Sequence, residues 1–321
     1  MEKSLKLRIH DLMVKSRVLE EHLIAMTRSG DAYFWIGGPG EEALNVPLGL
    51  LVHKGEGPAF DYLHLHYRSS GILTAMGAEM IDAIRQMRAT ATDPYSGGRN
   101  FVNHYARHDW NIVPGTPTIE VQHAMAPGTA WIQKREGGTG LTIVNGGDAG
   151  AAEGDFATCL NWCSRPGHEL PVLIVIAHNH YGISTTSETQ WHMQDISLRA
   201  EPFGIRHAMV DGNDPEASFA ALTEAMAYVR KTRQPFCLQA NVSRLNGHSS
   251  STGGTRIAGE RDCIADYEAA LAKSGDLTEG AAKGAWDKYR AEAKAALEQV
   301  RQEPLPEGDS IYQHVFFEGQ A

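Results

Sequence analysis

Apolar positions Ile9, Leu12, Met13, Leu19, Leu23 and Ile24 recur at helical spacing, so one amphipathic helix is predicted over 5–28. A glycine-rich turn, IGGPGEEALNV at 36–46, leads into a second helix ending at Leu51. DYLHLHYRSSG at 61–71 reads as a short strand opening into a helix, and 77–91 as a further helical segment. From 93 to 118 no period holds; Gly, Pro, Asn and His dominate, which predicts a long ordered loop. Loops of that length in compact domains are functional or disordered, and the aromatics and histidines here favour function. The centre is clearer. LTIVNGG (141–147) is a strand, EGDFATCLNWC (153–163) a helix, and PVLIVIAHN (171–179) an unbroken β-branched strand of the kind found in sheets covered on both faces. Further strands are expected in 204–212 and 235–244, with a helix over 215–232 between them. This alternation predicts an α/β protein with a doubly wound, mostly parallel sheet and helices on both faces. The Ala-, Lys- and Glu-rich stretch 264–302 adds helix on the outside, as 5–28 does at the other end. No repeat or linker interrupts residues 1–321, so a single domain is expected.

Composition narrows the partners. Hydrophobic residues make up 42% and charged residues 21%, as in soluble globular proteins. A net charge of −10 argues against nucleic acid or an anionic membrane surface as a partner. The longest apolar run, VLIVIA at 172–177, has strand length and falls far short of a membrane span. The chain opens directly on a helical pattern without a signal-peptide core, and its four cysteines sit in apolar or helical settings. Cys159 and Cys163, four apart on one helix, read as buried packing. A cytoplasmic, reducing location is the expectation.

The chemistry concentrates in GGDAGAAEGDF at 146–156. Strand, glycine burst and helix start suggest a phosphate cradle, in which Gly146, Gly147 and Gly150 let backbone approach a ligand and the helix from Glu153 offers its N-terminal dipole. Asp148 is the anomaly, because a carboxylate repels phosphate unless a cation lies between them. Asn179 ends the next strand roughly 30 positions on, the length of one strand–helix–strand unit, so both side chains reach the same sheet edge. Carboxylate, amide oxygen and backbone carbonyl are hard ligands suited to Mg²⁺. Taken alone, the turn fits equally well an ordinary tight turn with an acidic helix cap. It matches neither the dinucleotide fingerprint nor the Walker loop.

Read together, GDAGAAEGDF and AHNHYGIS (177–184) resemble the thiamine-diphosphate motif of one family. That family comprises the α subunits of the decarboxylating first component of 2-oxoacid dehydrogenase complexes. YFWIGGPGEEA (33–43), HYRSSG (66–71), NHYARH (103–108), RLNGHSSS (244–251) and the C-terminal helical stretch extend the resemblance over essentially the whole chain, nearest the branched-chain type. It implies thiamine diphosphate and Mg²⁺ as cofactors, with Asp148, Asn179 and the main-chain carbonyl of Tyr181 as metal ligands. Tyr67 and Arg68 would bind the diphosphate. Gly147, Ala149, Gly150, Gly182 and Ile183 belong to the matching motifs, and Thr116 and Thr118 fall where the family contacts the thiamine ring. His248 matches a catalytic loop histidine near the thiazolium, and His104 a second histidine lining the pocket. Without that resemblance, His104 and His108 at four-residue spacing also suggest zinc, though no third ligand lies nearby.

The resemblance further implies that this chain holds half an active site. A β subunit would supply the glutamate that activates the cofactor, in an α2β2 heterotetramer, and a lipoyl-bearing acyltransferase would receive the acyl group from a small 2-oxoacid. There are departures. Ala149 stands in the third motif position in place of Gly, Ala177 replaces a polar or basic residue, Ser243 replaces a Tyr, and the loop after His248 lacks its acidic residues. A methyl at 149 is tolerable if φ there is negative. These changes keep open a non-oxidative thiamine decarboxylase or carboligase subunit, or a non-catalytic interaction subunit.

Overall fold

The computed structural model describes residues 1–313, 315 and 316. Helix α1 (Lys3–Ser29) is followed by α2 (Glu42–Leu51), strand β1 (Tyr62–His64), α3 (Ser70–Met76) and α4 (Met80–Met87). The central run is α5 (Val121–Arg135), β2 (Thr142–Gly147), α6 (Gly154–Cys163) and β3 (Val172–His178). A short antiparallel hairpin, β4 (Tyr181–Gly182) with β5 (Thr185–Thr186), precedes β6 (Arg206–Asp211), α7 (Pro215–Thr232) and β7 (Phe236–Asn241). Helices α8 (Cys263–Ser274) and α9 (Glu279–Val300) complete the order.

The main sheet runs β1-β2-β3-β7-β6 and every pairing in it is parallel. This is the doubly wound α/β arrangement that the alternation predicts. Strand β3 explains why its sequence carries no polar alternation. Leu173, Val175 and Ala177 enter the core shared with α2, α3 and α7, while Val172, Ile174 and Ile176 enter the core shared with α5 and α6. Both faces are dry, so both sets are apolar.

A third layer forms where α1 packs on α4, α8 and α9 around Met13, Leu23, Ile264, Leu271 and Leu297. At its centre lies buried Arg17. Its Nε donates to Glu42 Oε1 at 2.6 Å, its Nη2 to Glu42 Oε2 at 2.8 Å, and its Nη1 to Asp262 Oδ2 at 2.9 Å. One guanidinium thus ties α1, α2 and the Asp262 cap of α8 together.

Several expectations change in detail. Helix over 77–91 shrinks to α4, because Gly77 at φ 99° closes α3. The stretch 264–302 divides at Gly275 (φ 76°), and Thr278 caps the second piece. The 93–118 segment is irregular apart from one 3-10 turn, His108–Trp110, yet it is ordered by buried Tyr95, Val102, Tyr105 and Trp110. Helix α5 and the β4–β5 hairpin carry no sequence signal of their own. Pro127 and Gly128 inside α5 break its period. No helix among the described residues is long and apolar enough to cross a membrane.

Candidate cofactor site

The carboxyl ends of β1, β2 and β3 open on one cavity of about 670 Å³. Because Gly147 pairs with Ala177, the residues that follow each strand emerge side by side. Asp148 and Asn179, both buried, lie there and line the cavity. Asp148 Oδ1 accepts the N–H of Ala149 at 2.9 Å, whereas Oδ2 is buried without a partner. Burial pushes this carboxyl above its ordinary range, and the Ala149 and His180 amides pull the other way. Asn179 Oδ1 accepts the N–H of Tyr181 at 3.2 Å, and its Nδ2 donates to Glu41 Oε1 at 3.4 Å. A buried carboxylate oxygen with no donor, next to an amide oxygen, suits a hard divalent cation.

The turn glycines divide their work. A Cβ on Gly146 would lie 2.4 Å from the carboxylate of Glu120, and one on Gly150 1.8 Å from it, whereas at Gly147 it would meet nothing. Only Gly147 therefore leaves backbone open to a ligand; the other two make room for the acid beneath. Glu120 is fully buried against the His123 ring and accepts the N–H of Gly147 at 3.3 Å. No sequence motif marked it. Ala149 has φ −64° and ψ −40°, right-handed backbone in which a methyl costs nothing.

On the opposite wall, buried Arg68 donates through Nη1 to the carbonyl of Gly37 and through Nη2 to His248 Nδ1, at 3.1 Å in the second case. Arginine only donates, so Nδ1 of His248 must accept, and the neutral ring carries its proton on Nε2. Burial, then Arg68 and Arg244, hold His248 down at about 4, so it is neutral at physiological pH. His104 has the opposite tautomer. Its Nδ1 lies 3.0 Å from the carbonyl of Val102, which only accepts, and its buried Nε2 is left as a free acceptor. The two rings flank Tyr67, with centroids 6.1 and 6.2 Å from its own. The cavity therefore holds one neutral imidazole able to donate and one able to accept.

Tyr181, Gly182 and Ile183 form its rim. Ile183 is β-branched yet sits at φ 56°, exposed, with its carbonyl accepting Arg244 Nη1 at 2.8 Å. Such backbone strain clusters at functional sites. The segment 116–119 meets the cavity through Pro117 and Ile119, while the Thr116 and Thr118 side chains are not on its wall and Thr118 is exposed. The chain bends here, with Thr116 Oγ1 accepting the N–H of Thr118 at 3.2 Å, which turns the Thr116 hydroxyl to its own backbone. His108 is exposed and far from pairing with buried His104 on a metal; no group of three His, Cys, Asp or Glu side chains fit for a metal occurs among the described residues.

Sequence reasoning missed five further contributors. His66 lines the cavity next to Tyr67, and Phe34, Ile36 and Phe101 give it an apolar wall. Glu41, buried between Asn179 and Arg68, is pushed up to about 7 by burial, which outweighs the guanidinium 3.8 Å away. Glu41 sits in the quoted GPGEEA stretch, but nothing in the sequence says which of its two acids faces the site. Glu42 takes the structural role with Arg17.

A doubly wound parallel sheet whose strand ends carry an acid, an amide and an open glycine turn defines an α/β protein with a cleft at the carboxyl edge of its sheet. The chain belongs to the dehydrogenase E1 component family, whose sequence profile matches residues 10–308. It is 27% identical over 312 residues to the 2-oxoisovalerate dehydrogenase subunit alpha of Bacillus subtilis (strain 168), covering 95% of this chain and 93% of that protein. It is 26% identical over 325 residues to the mitochondrial 2-oxoisovalerate dehydrogenase subunit alpha of Homo sapiens, covering 97% and 70%. Against the mitochondrial subunit alpha 2 of Arabidopsis thaliana it is 28% identical over 255 residues, and there the match spans 79% of this chain and 52% of the plant protein. The family is thiamine-diphosphate dependent, so the expected membership and fold are borne out.

Proposed function

We propose that this chain is the α subunit of a 2-oxoacid dehydrogenase and binds Mg²⁺–thiamine diphosphate in the 670 Å³ cavity. The observation that carries this reading is the buried, partnerless Oδ2 of Asp148 beside Asn179 at adjacent strand ends. When bound, thiamine diphosphate supplies the electron sink for loss of CO₂ from a 2-oxoacid. Asp148, Asn179 and the Tyr181 carbonyl would hold the metal. Tyr67 and Arg68 would receive the diphosphate, with the open backbone of Gly147 and the 182–183 rim beside it, and Pro117 and Ile119 would face the thiamine ring. His248, protonated on Nε2, would donate a hydrogen bond to the reacting group, and His104 Nε2 would accept one. Phe34, Ile36 and Phe101 favour a 2-oxoacid with a branched apolar chain, in keeping with the named substrate of the relatives.

The acid that activates the cofactor and the rest of the pocket come from a β subunit, in an α2β2 assembly that passes the acyl group to a lipoyl-bearing acyltransferase. The chain forms a single domain and works in the cytoplasm, where its four buried free thiols are at home. The test is calorimetric titration of thiamine diphosphate into the chain co-expressed with a candidate β subunit. Binding should require Mg²⁺ and disappear in Asp148→Ala, and acyl transfer to lipoamide should need both chains. Magnesium-independent binding, or activity from this chain alone, overturns the reading.

A further inference from the structure

Behind the metal-facing acid lies a second buried atom without a partner. His178 ends β3, is wholly buried, and has its Nδ1 3.9 Å from Asp148 Oδ2. Both atoms lack hydrogen-bond partners. At the other side of the ring, His178 Nε2 lies 2.8 Å from Nδ1 of His180, which is exposed. Gln194 lies near this ring as well, its carbonyl oxygen accepting the Ser187 hydroxyl at 2.8 Å, but the side-chain hydrogen bond that the His178 ring itself makes among the described residues is the one with His180. His180 is held at φ 68°, and its carbonyl accepts the N–H of Ser187 at 2.9 Å, which fixes the ring against His178.

Two tautomers satisfy the 2.8 Å contact. If His178 donated from Nε2, its Nδ1 lone pair would face a carboxylate oxygen, two acceptors opposed in a site that excludes water. If His180 donates, His178 presents Nδ1–H to Asp148 instead. Facing acceptors in a dry interior lose the hydrogen bonds both would have in water, so the second arrangement wins. The 3.9 Å gap is beyond hydrogen-bond reach, and a modest turn of either side chain closes it.

We infer that His178 is a positioning residue for the metal-binding carboxylate, with His180 setting the tautomer that lets it donate to Asp148. The inference rests on the Mg²⁺ reading of Asp148. Its chemistry is that of an outer partner which aims a ligand: a carboxylate held from behind by one N–H presents its remaining lone pairs to the cation in a fixed direction. Such partners typically carry about 10–100-fold in metal affinity.

The experiment combines nitrogen-15 histidine NMR of the full chain with calorimetry of its complex with the β subunit. In the wild type, His178 should carry its proton on Nδ1, and His180→Gly, which suits the positive φ and deletes the imidazole, should leave a mixture of tautomers. A proton found on His178 Nε2 overturns the proposal, whatever the binding data say. In calorimetry with thiamine diphosphate and Mg²⁺, His178→Asn places an amide N–H near the Nδ1 position and should bind within about threefold of wild type. His178→Gln reaches towards the Nε2 position and should weaken Mg²⁺-dependent binding about 10–100-fold. Equal loss in both variants, at unchanged metal-free melting temperature, overturns the proposal as well. If the wild type binds without any need for Mg²⁺, the metal reading fails, and the NMR result still decides the tautomer separately.

Discussion

Ala149 and Gly182 divide one small volume between them. Ala149 lies in right-handed backbone, and a Cβ on Gly182 would stand 2.8 Å from its methyl. The methyl therefore fits only because the hairpin residue opposite has none. Ala149→Gly should lower stability by about 0.5–1 kcal/mol through added freedom of the unfolded chain. Its Mg²⁺-dependent cofactor affinity should stay close to wild type. Gly182→Ala should cost more, about 1–3 kcal/mol from overpacking, and should weaken cofactor binding because the rim must shift. Denaturant melts and calorimetry on the two variants separate these outcomes; equal effects contradict the shared-volume account. The residue types of this site were legible in the sequence wherever chemistry demanded them. Asp148, Asn179, Tyr67, Arg68, His104 and His248 all reach one cavity. The tautomers of the two histidines were not legible, since that of His248 depends on Arg68 arriving from a distant segment and that of His104 on a loop conformation that turns the Val102 carbonyl onto its ring.

At the scale of elements, α5 braces the turn that carries the metal-facing acid. Glu120 precedes α5 in the left-handed region (φ 63°) and puts its carboxylate under the turn, while Gln122 Nε2 donates to the carbonyl of Asn145 at 3.2 Å. Glu120→Ala opens a hole beneath Gly146 and Gly150 and leaves His123 without its partner. It should lower stability by about 2–4 kcal/mol, read as a fall of several degrees in melting temperature; Glu120→Gln, which keeps an acceptor for Gly147, should recover part of it. No recovery would show that the Gly147 acceptor is not what Glu120 contributes. Strand β3 announced itself because it is buried on both faces and reads as a continuous apolar run, while β2 and β7, equally buried, carry shorter runs that give way to polar residues and glycine near their carboxyl ends. Helix α5 did not announce itself, because it spends its first turn on polar contacts and carries Pro127 and Gly128 in its middle. Its identity is tertiary: it exists to hold β2 and the turn, and periodicity does not record that.

Across the whole molecule, buried neutral histidines set the response to acid. Burial holds His64 at about 3, and burial, Arg68 and Arg244 hold His248 at about 4, below the ordinary 6.5. Between pH 6.5 and 4 the unfolded chain takes up protons that the folded one refuses, so stability must fall as pH drops through that window. Carboxyls raised by burial, Glu41 to about 7 and also Glu20, Glu21, Asp82 and Asp148, work the other way as they protonate, but the lowered histidines outnumber them, since burial lowers His22, His66, His104 and His178 as well. Melting temperatures measured from pH 7 down to pH 4.5 should decline; a flat profile contradicts the neutral histidines. Arg17 offers a second global test. Arg17→Met strands the buried Glu42 and the cap Asp262, and should cost about 3–5 kcal/mol, by chemical denaturation.

The strand order has a consequence for how such a chain comes into being. β7, the last strand in sequence, lies between β3 and β6, and β1 finds β2 only after some 80 intervening residues. During synthesis the flank of β3 that β7 will cover, with its run of Val, Leu and Ile, stays unpaired until residue 241 has left the ribosome. Contacts so distant along the chain close slowly, and an exposed apolar strand edge is an invitation to aggregation meanwhile. Delayed completion of the sheet, more than any weakness of the finished protein, is where its production in a cell is most exposed, and a chaperone that shields β3 until β7 arrives would act at the step that decides yield.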